Sequence, residues 1–218
     1  MNRRYDLLIF DWDGTLSDST GVIARTLQIT CRDLGLPEPS DEVANHVIGL
    51  ELSKALRYVL PDLSEERLPA VIERFRYNYL TLEHDIRLFD GVAELIKRLH
   101  GAGFDLAVAT GKNRRGLTRA FSSLNLGHFF SSSRCGDECF SKPHPQMLEE
   151  LIDELSVPKE KTLMIGDTTH DLQMALNAEV DSLAVCYGAH PVDALRNLDP
   201  LACLNNVNEL DEWLRLNA

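Results

Sequence analysis

The chain has 218 residues, 44% of them apolar, enough to bury a substantial core in one large domain or in a domain carrying a smaller insertion. Its formal net charge of −12 argues against broad contact with nucleic acid or an anionic membrane, and admits a small anionic substrate only where local cations or a metal overcome the global field. No run of about 18 apolar residues exists to span a membrane, and the N-terminus MNRRYDLLIFDWDG turns acidic too soon for a signal peptide, so a cytoplasmic protein is expected.

In chain order, the first apolar run is YDLLIFD (5 to 11), a strand buried on both faces. Residues 20 to about 85 then read as helices only: GVIARTLQITCRDLGL, SDEVANHVIGL, ELSKALRYVL and SEERLPAVIERFRYNYLTLEH. The pattern returns near IRLFDGV (86 to 92), where Asp90-Gly91 suits a turn and helix entry. Strands follow at FDLAVAT (104 to 110), KTLMIGD (161 to 167) and SLAVCY (182 to 187), with weaker candidates at HFFSSS (128 to 133) and PLACL (200 to 204). Between them, residues 91 to 102, 113 to 124, 143 to 155 and 168 to 178 carry apolar residues at helical spacing. Alternating strand and helix implies an α/β fold, a doubly wound and mainly parallel Rossmann-like sheet. Residues 1–18 and 86–218 are expected to form that core, and 19–85 an inserted all-helical unit. Cys31, Cys135, Cys139, Cys186 and Cys203 are odd in number and irregularly spaced, which suits reduced thiols.

The strong strands end in polar residues: Asp11 and Asp13, then Thr110-Gly111-Lys112, then Asp167 and Asp171. Ligands of open parallel sheets bind beyond the carboxyl ends of the strands, so four carboxylates meet at one edge. SKPHP puts Lys142 ahead of a proline-started helix, close to a phosphate-friendly N-terminus. Carboxylates clustered in one pocket need a cation to stay ionised, and Mg²⁺ takes oxygen ligands from a few carboxylates plus a phosphate. One strand-end carboxylate can attack phosphorus while another, two residues along, handles the leaving group and then water. Thr110 and Lys142 would hold the phosphoryl oxygens.

Asp11-Trp12-Asp13-Gly14-Thr15-Leu16, Thr110-Gly111-Lys112, Lys142-Pro143 and Gly166-Asp167-Thr168-Thr169-His170-Asp171 resemble the four ordered motifs of the haloacid dehalogenase superfamily. The resemblance implies that Asp11 is the nucleophile and a Mg²⁺ ligand. It implies that Asp13 is the general acid/base and binds the metal through its backbone carbonyl. Asp167 matches the other direct ligand and Asp171 an outer-shell acid; Thr110 with Gly111 and Lys142 match the phosphate-holding set. The helical insertion resembles the cap of this superfamily's phosphatases, and Gly49 resembles the cap loop that reaches the site.

Because Asp13 is present, carbon–halogen and carbon–phosphorus cleavage are disfavoured. The expected function is a Mg²⁺-dependent phosphatase of a small phosphorylated metabolite, similar to phosphoglycolate phosphatases, and a monomer or weak homodimer. The alternatives are a phosphomutase, an inorganic pyrophosphatase, and a non-catalytic phosphate-binding module. Lys112, Arg114, Arg115 and Arg119 read as a solvated helix start, and Lys54 and Arg57 as exposed cations. Cys135, Cys139 and His144 lack a fourth ligand for zinc. His46, His84, His100, His128, His144 and His190 read as structural or exposed, and His170 differs only by lying in the fourth motif. Glu179 follows the last motif helix where relatives often have glycine, which puts the left-handed helix end in doubt.

Overall fold

The computed structural model describes residues 3–218. Its strands are β1 (Leu7–Phe10), β2 (Ser17–Asp18), β3 (Arg87–Leu88), β4 (Asp105–Thr110), β5 (Ser132–Cys135), β6 (Thr162–Gly166), β7 (Asp181–Val185) and β8 (Cys203–Leu204). Six of them form one sheet in the order β5-β4-β1-β6-β7-β8, with every pairing parallel. The chain builds outward from β1 to β4 and β5, then crosses to β6 on the other side. That reversal opens a crevice at the carboxyl end of β1.

Both faces of the sheet are buried, as the continuous apolar runs require. Leu8 and Phe10 of β1, Leu106 and Val108 of β4, and Leu163 and Ile165 of β6 face one helical layer. That layer contains α5 (Val92–Gly101) and α10 (Val207–Asn217), through Ile96, Leu99, Leu210 and Leu214. The alternate residues Leu7, Ile9, Ala107, Ala109 and Met164 meet α7 (Gln146–Leu155) and α8 (Thr169–Ala178) on the opposite face. Period-two alternation with no polar face is what a sheet covered on both sides demands. Helix α6 (Arg114–Leu124) packs beside β5, and α9 (Val192–Arg196) beside β8.

Four further helices, α1 (Thr20–Asp33), α2 (Asp41–His46), α3 (Leu52–Val59) and α4 (Leu68–Leu82), gather round a separate apolar cluster. Ala24, Leu27 and Cys31 on α1, and Leu68, Val71 and Phe75 on α4, recur at helical spacing and supply most of it. This unit joins the sheet through two chain passages that pair as an antiparallel ribbon, Ser17 opposite Leu88 and Asp18 opposite Arg87.

Two expected elements are displaced from the sequence reading, and α9 and α10 fall where it names no helix. The helix expected from residue 143 begins at Gln146, after Pro145, and Lys142-Pro143 lies in the preceding turn. A residue before proline is steered out of the helical region, so His144-Pro145 delays the start. The strand expected around 128 to 133 is displaced to Ser132–Cys135, and residues Gly127–Phe129 form a 3₁₀ turn. As an edge strand, β5 is only partly buried and carries no apolar run to mark it.

Glu179 ends α8 in the left-handed conformation, φ 60° and ψ 43°, with its N–H directed to the carbonyls of Ala175 and Leu176. A side chain is costly there, and the exposed pair it makes with Lys159 at 3.0 Å contributes little. Glu179→Gly is therefore expected to stabilise the fold by about 1 kcal/mol. Urea unfolding measures it, and a lowered midpoint would contradict the geometry.

Candidate active site

The three inner strands deliver their last residues to one level. Register pairs Phe10 with Val108 on one side and with Ile165 on the other, which sets Asp11 level with Ala109 and Gly166 and places Thr110 and Asp167 one position further along the neighbouring strands. After β1 the chain makes a tight loop, with the Gly14 N–H donating to the Ser17 carbonyl and the Leu16 and Ser17 N–H groups to that of Trp12. Gly14 has φ +89°, and a Cβ there would lie 2.1 Å from Asp167 Oδ2. Glycine is required at this point by both conformation and space.

Asp11, Asp167 and Asp171 are fully buried, and one carboxylate oxygen from each lies within 4.8 Å of the others. Lys142, also fully buried, donates from Nζ to Asp11 Oδ1 and to Asp171 Oδ1, each at 2.6 Å. Thr15 Oγ1 and the Ala189 N–H both donate to Asp167, at 2.8 Å. Asp171 closes a capping box at the start of α8: Thr168 donates to Asp171 Oδ2 from Oγ1 at 2.7 Å and from N at 3.1 Å.

One lysine cannot balance three buried carboxylates. Burial raises Asp11 well above the usual carboxylate range, against the pull of Lys142 and reinforced by the charges of Asp171 and Asp167. Burial and the Asp171 charge raise Asp167 to about 7 despite its hydrogen bonds. Lys142 is lowered by burial but held above an ordinary lysine by Asp11 and Asp171. Asp11 Oδ2, moreover, is buried with no hydrogen-bond partner. An oxygen-only donor set with surplus negative charge and an orphaned carboxylate oxygen fits a hard divalent cation such as Mg²⁺.

The pH dependence follows from Asp167. Its pKa is raised from 3.8 in the ordinary carboxylate to about 7 in the fold, so its contribution to stability is complete below the ordinary value and is lost as pH rises through about 7. Protons and metal compete for the same oxygens. Added Mg²⁺ is therefore expected to raise the melting temperature by several degrees more at pH 8 than at pH 5.5. Equal shifts at the two pH values, read by calorimetry, would exclude this coupling.

Asp13 stands apart from the three. Its Oδ1 accepts from Ser19 Oγ at 2.7 Å and pairs with Lys112 Nζ at 3.1 Å. Lys112 is not the solvated cation expected. It lies before the Asn113 cap of α6, turns inward, and donates to the Tyr79 hydroxyl of α4 at 3.1 Å. Burial lowers its pKa, but Asp13 and Tyr79 more than reverse this. Thr110 is buried and its Oγ1 accepts from the Lys112 N–H at 3.2 Å.

The helical unit sits directly on this edge. A Cβ built on Gly111 would lie 2.4 Å from the Gly49 carbonyl oxygen, and Gly49 has φ +89° with Thr168 beneath it. The Glu51 N–H donates to Ser141 Oγ at 3.0 Å, and Lys54 Nζ to the Lys142 carbonyl at 3.0 Å, so Lys54 also contacts the site instead of standing free. Arg57 pairs with Glu65, away from it. Between the two units lies a cavity of about 430 Å³ lined by Asp13, Gly49, Phe75, Tyr79, Gly111 and Lys112. The structure thus brings Asp11, Asp13, Gly49, Thr110, Gly111, Lys142, Asp167 and Asp171 to one edge, and adds Thr15, Ser19, Tyr79 and Lys112. Of these, Thr15 and Lys112 lie inside the quoted motifs, whereas Tyr79 carries no sequence signal.

The family model for haloacid dehalogenase-like hydrolases matches residues 8–185. Relatives include "Probable phosphatase IndB" of Dickeya dadantii, 32% identical over 94% of this chain and 91% of its own length. Another is the phosphoglycolate phosphatase of Aliivibrio fischeri, 32% identical over 89% of each chain. The fold also superimposes on a crystal structure of a haloacid dehalogenase-like hydrolase from Bacteroides fragilis, with a TM-score of 0.87 at 21% identity, covering 94% of this chain and 99% of the other. Four motifs in order at one sheet edge, matched over most of the chain, place this protein in the haloacid dehalogenase-like hydrolase family.

Proposed function

We propose that this chain is a Mg²⁺-dependent phosphatase that hydrolyses a small phosphate monoester through an aspartyl-phosphate on Asp11. The observation that carries the reading is Asp11 itself, a buried carboxylate with one oxygen held by Lys142 at 2.6 Å and the other unpartnered. Phosphorus is an electrophile for such an oxygen. Asp11 forms the new P–O bond as the ester oxygen departs, and Asp13, two residues along, supplies that oxygen's proton. In the second half Asp13 takes a proton from water, whose oxygen displaces Asp11 and releases phosphate.

Lys142 and Thr110 bind the phosphoryl oxygens, and Lys112 with Ser19 fixes Asp13 at the mouth of the cavity. Asp11, Asp167 and the Asp13 carbonyl would hold Mg²⁺, with Asp171 positioning Lys142; the ion supplies charge neutralisation for the phosphoryl group. Residues 19–85 act as a cap that excludes water and contacts the leaving group, a reading supported by the contacts of Gly49, Glu51 and Lys54 with the core.

A 2-phosphoglycolate-like ester is the first substrate to test, since a relative 32% identical carries that name. Among the described residues no helix is long and apolar enough to cross a membrane, and the five cysteines are unpaired, which supports a reducing, cytoplasmic setting. Phosphate release should be measured with and without Mg²⁺ across 2-phosphoglycolate, pyrophosphate, sugar phosphates and nucleoside monophosphates. Mg²⁺-dependent release from at least one monoester is expected. A folded protein inert on the whole panel would sink the proposal, and conversion of one sugar phosphate to its isomer in place of release would identify a mutase.

A further inference from the structure

Three histidines far apart in sequence meet where the helical unit touches the sheet domain. His46 is the last residue of α2, His170 lies in the first turn of α8, and His190 follows β7. Their ring centroids are separated by 5.3 Å (His46 to His170), 5.4 Å (His46 to His190) and 5.0 Å (His170 to His190). Three imidazoles on a tetrahedral ion, with metal–nitrogen bonds of about 2.0–2.1 Å, place their ring centres about 5.2 Å apart. The three rings already stand at that spacing.

We propose that His46, His170 and His190 form a binding site for a Zn²⁺-type divalent cation that bridges the helical unit and the sheet domain. One nitrogen from each ring lies within 4.8 Å of the others, so side-chain rotation has to close roughly an ångström or more to reach the spacing of a tetrahedral site, near 3.3 Å. The Nε2 atoms of His170 and His190 converge on a single point, the His46 carbonyl oxygen, at 2.8 and 3.1 Å. Among the described residues neither ring nitrogen of His46 has a hydrogen-bond partner.

Coordination moves one proton within each ring that now donates to that carbonyl. For His190 the proton passes from Nε2 to Nδ1, where Thr169 Oγ1, at 3.1 Å, accepts it in exchange for the hydrogen bond that Nδ1 now accepts from the Thr169 N–H at 3.1 Å. This is the outer hydrogen bond that a ligating imidazole ordinarily makes. Imidazole nitrogen selects Zn²⁺, Ni²⁺ or Co²⁺ over Mg²⁺, whereas the carboxylate centre next to it has the opposite preference. The fourth position is left for water, and the ion ties α2 to the start of α8.

The test is calorimetric titration of the full chain with Zn²⁺ in millimolar Mg²⁺, which occupies the carboxylate centre. One site is expected in the wild type, with affinity at least about tenfold weaker in His46→Ala and in His170→Gln, and an unchanged site in Asp11→Asn. Co²⁺ in place of Zn²⁺ should give the visible absorption of a tetrahedral nitrogen site, absent from His46→Ala. Metal-free circular dichroism checks that each variant is folded, and His46→Gln, which keeps a polar side chain of similar reach, replaces His46→Ala if that variant is not. Undiminished Zn²⁺ binding in the folded histidine variants, or binding lost only in Asp11→Asn, would overturn the proposal.

Discussion

Asp11→Asn is expected to abolish phosphate release, with turnover lowered by about 10⁴-fold or more, while the metal-free protein melts at the same temperature as the wild type or higher. The amide is nearly isosteric and keeps an oxygen to accept from Lys142, so the hydrogen bond at 2.6 Å has a substitute. What disappears is the proposed nucleophile and one of three carboxylates that burial holds unfavourably close. Loss of activity together with unchanged or increased stability distinguishes a catalytic carboxylate from a structural one. A buried structural ion pair, by contrast, loses stability when one partner is neutralised. Phosphate release and differential scanning calorimetry on the same preparation read both quantities. A variant retaining a tenth of wild-type turnover would remove Asp11 from the role of nucleophile.

How far this site could be read from sequence depends on where each residue's information lies. β1, β4 and β6 announce themselves because each holds a continuous apolar run (7–10, 106–109 and 163–165) that leads into Asp11-Trp12-Asp13, Thr110-Gly111-Lys112 or Gly166-Asp167-Thr168. Central strands buried on both faces leave no polar position to blur the pattern. β5 was poorly placed for the converse reason, since Ser132, Ser133 and Arg134 are half exposed at the sheet edge.

Among site residues, Asp11, Lys142 and Asp171 were legible because their neighbours in sequence are also their neighbours in the motif. The direction in which Lys112 points was not. It depends on Tyr79 of α4 and on Asp13, 33 and 99 positions away, and a run of four cations reads as solvated unless those partners are in view. The three histidines were scattered for the same reason: His46 and His170 are 124 positions apart, and only the seating of α2 on α8 brings them together. Glu179 shows that a locally costly residue can be accommodated, because the left-handed end it adopts is set by how α8 must leave for β7.

Lys142 is the residue whose removal should affect folding most. In Lys142→Met, Asp11 and Asp171 each lose their 2.6 Å charge-assisted hydrogen bond, and the buried centre is left with three acids and no cation. Removing one partner of a buried ion pair costs about 3–5 kcal/mol, which for a chain of this size lowers the melting temperature by roughly 10 °C in the absence of metal. Protonation relieves part of that cost. The deficit is therefore expected to be smaller at pH 5.5, where the raised carboxyl groups take up protons, and larger at pH 8. Mg²⁺ should recover much of the lost stability, since it supplies positive charge to the same acidic centre, but not the activity. The ion cannot replace the ammonium proposed to steady the phosphoryl oxygens, and turnover should remain lower by about 10²–10³-fold. Recovery of stability without recovery of turnover would separate the two tasks proposed for this lysine, balancing the acids in the resting protein and binding phosphate during the reaction. If Mg²⁺ restored turnover, Lys142 would not be the phosphate-holding cation, and if the metal-free variant were as stable as the wild type at pH 8, it would not be the counter-charge of the acidic centre.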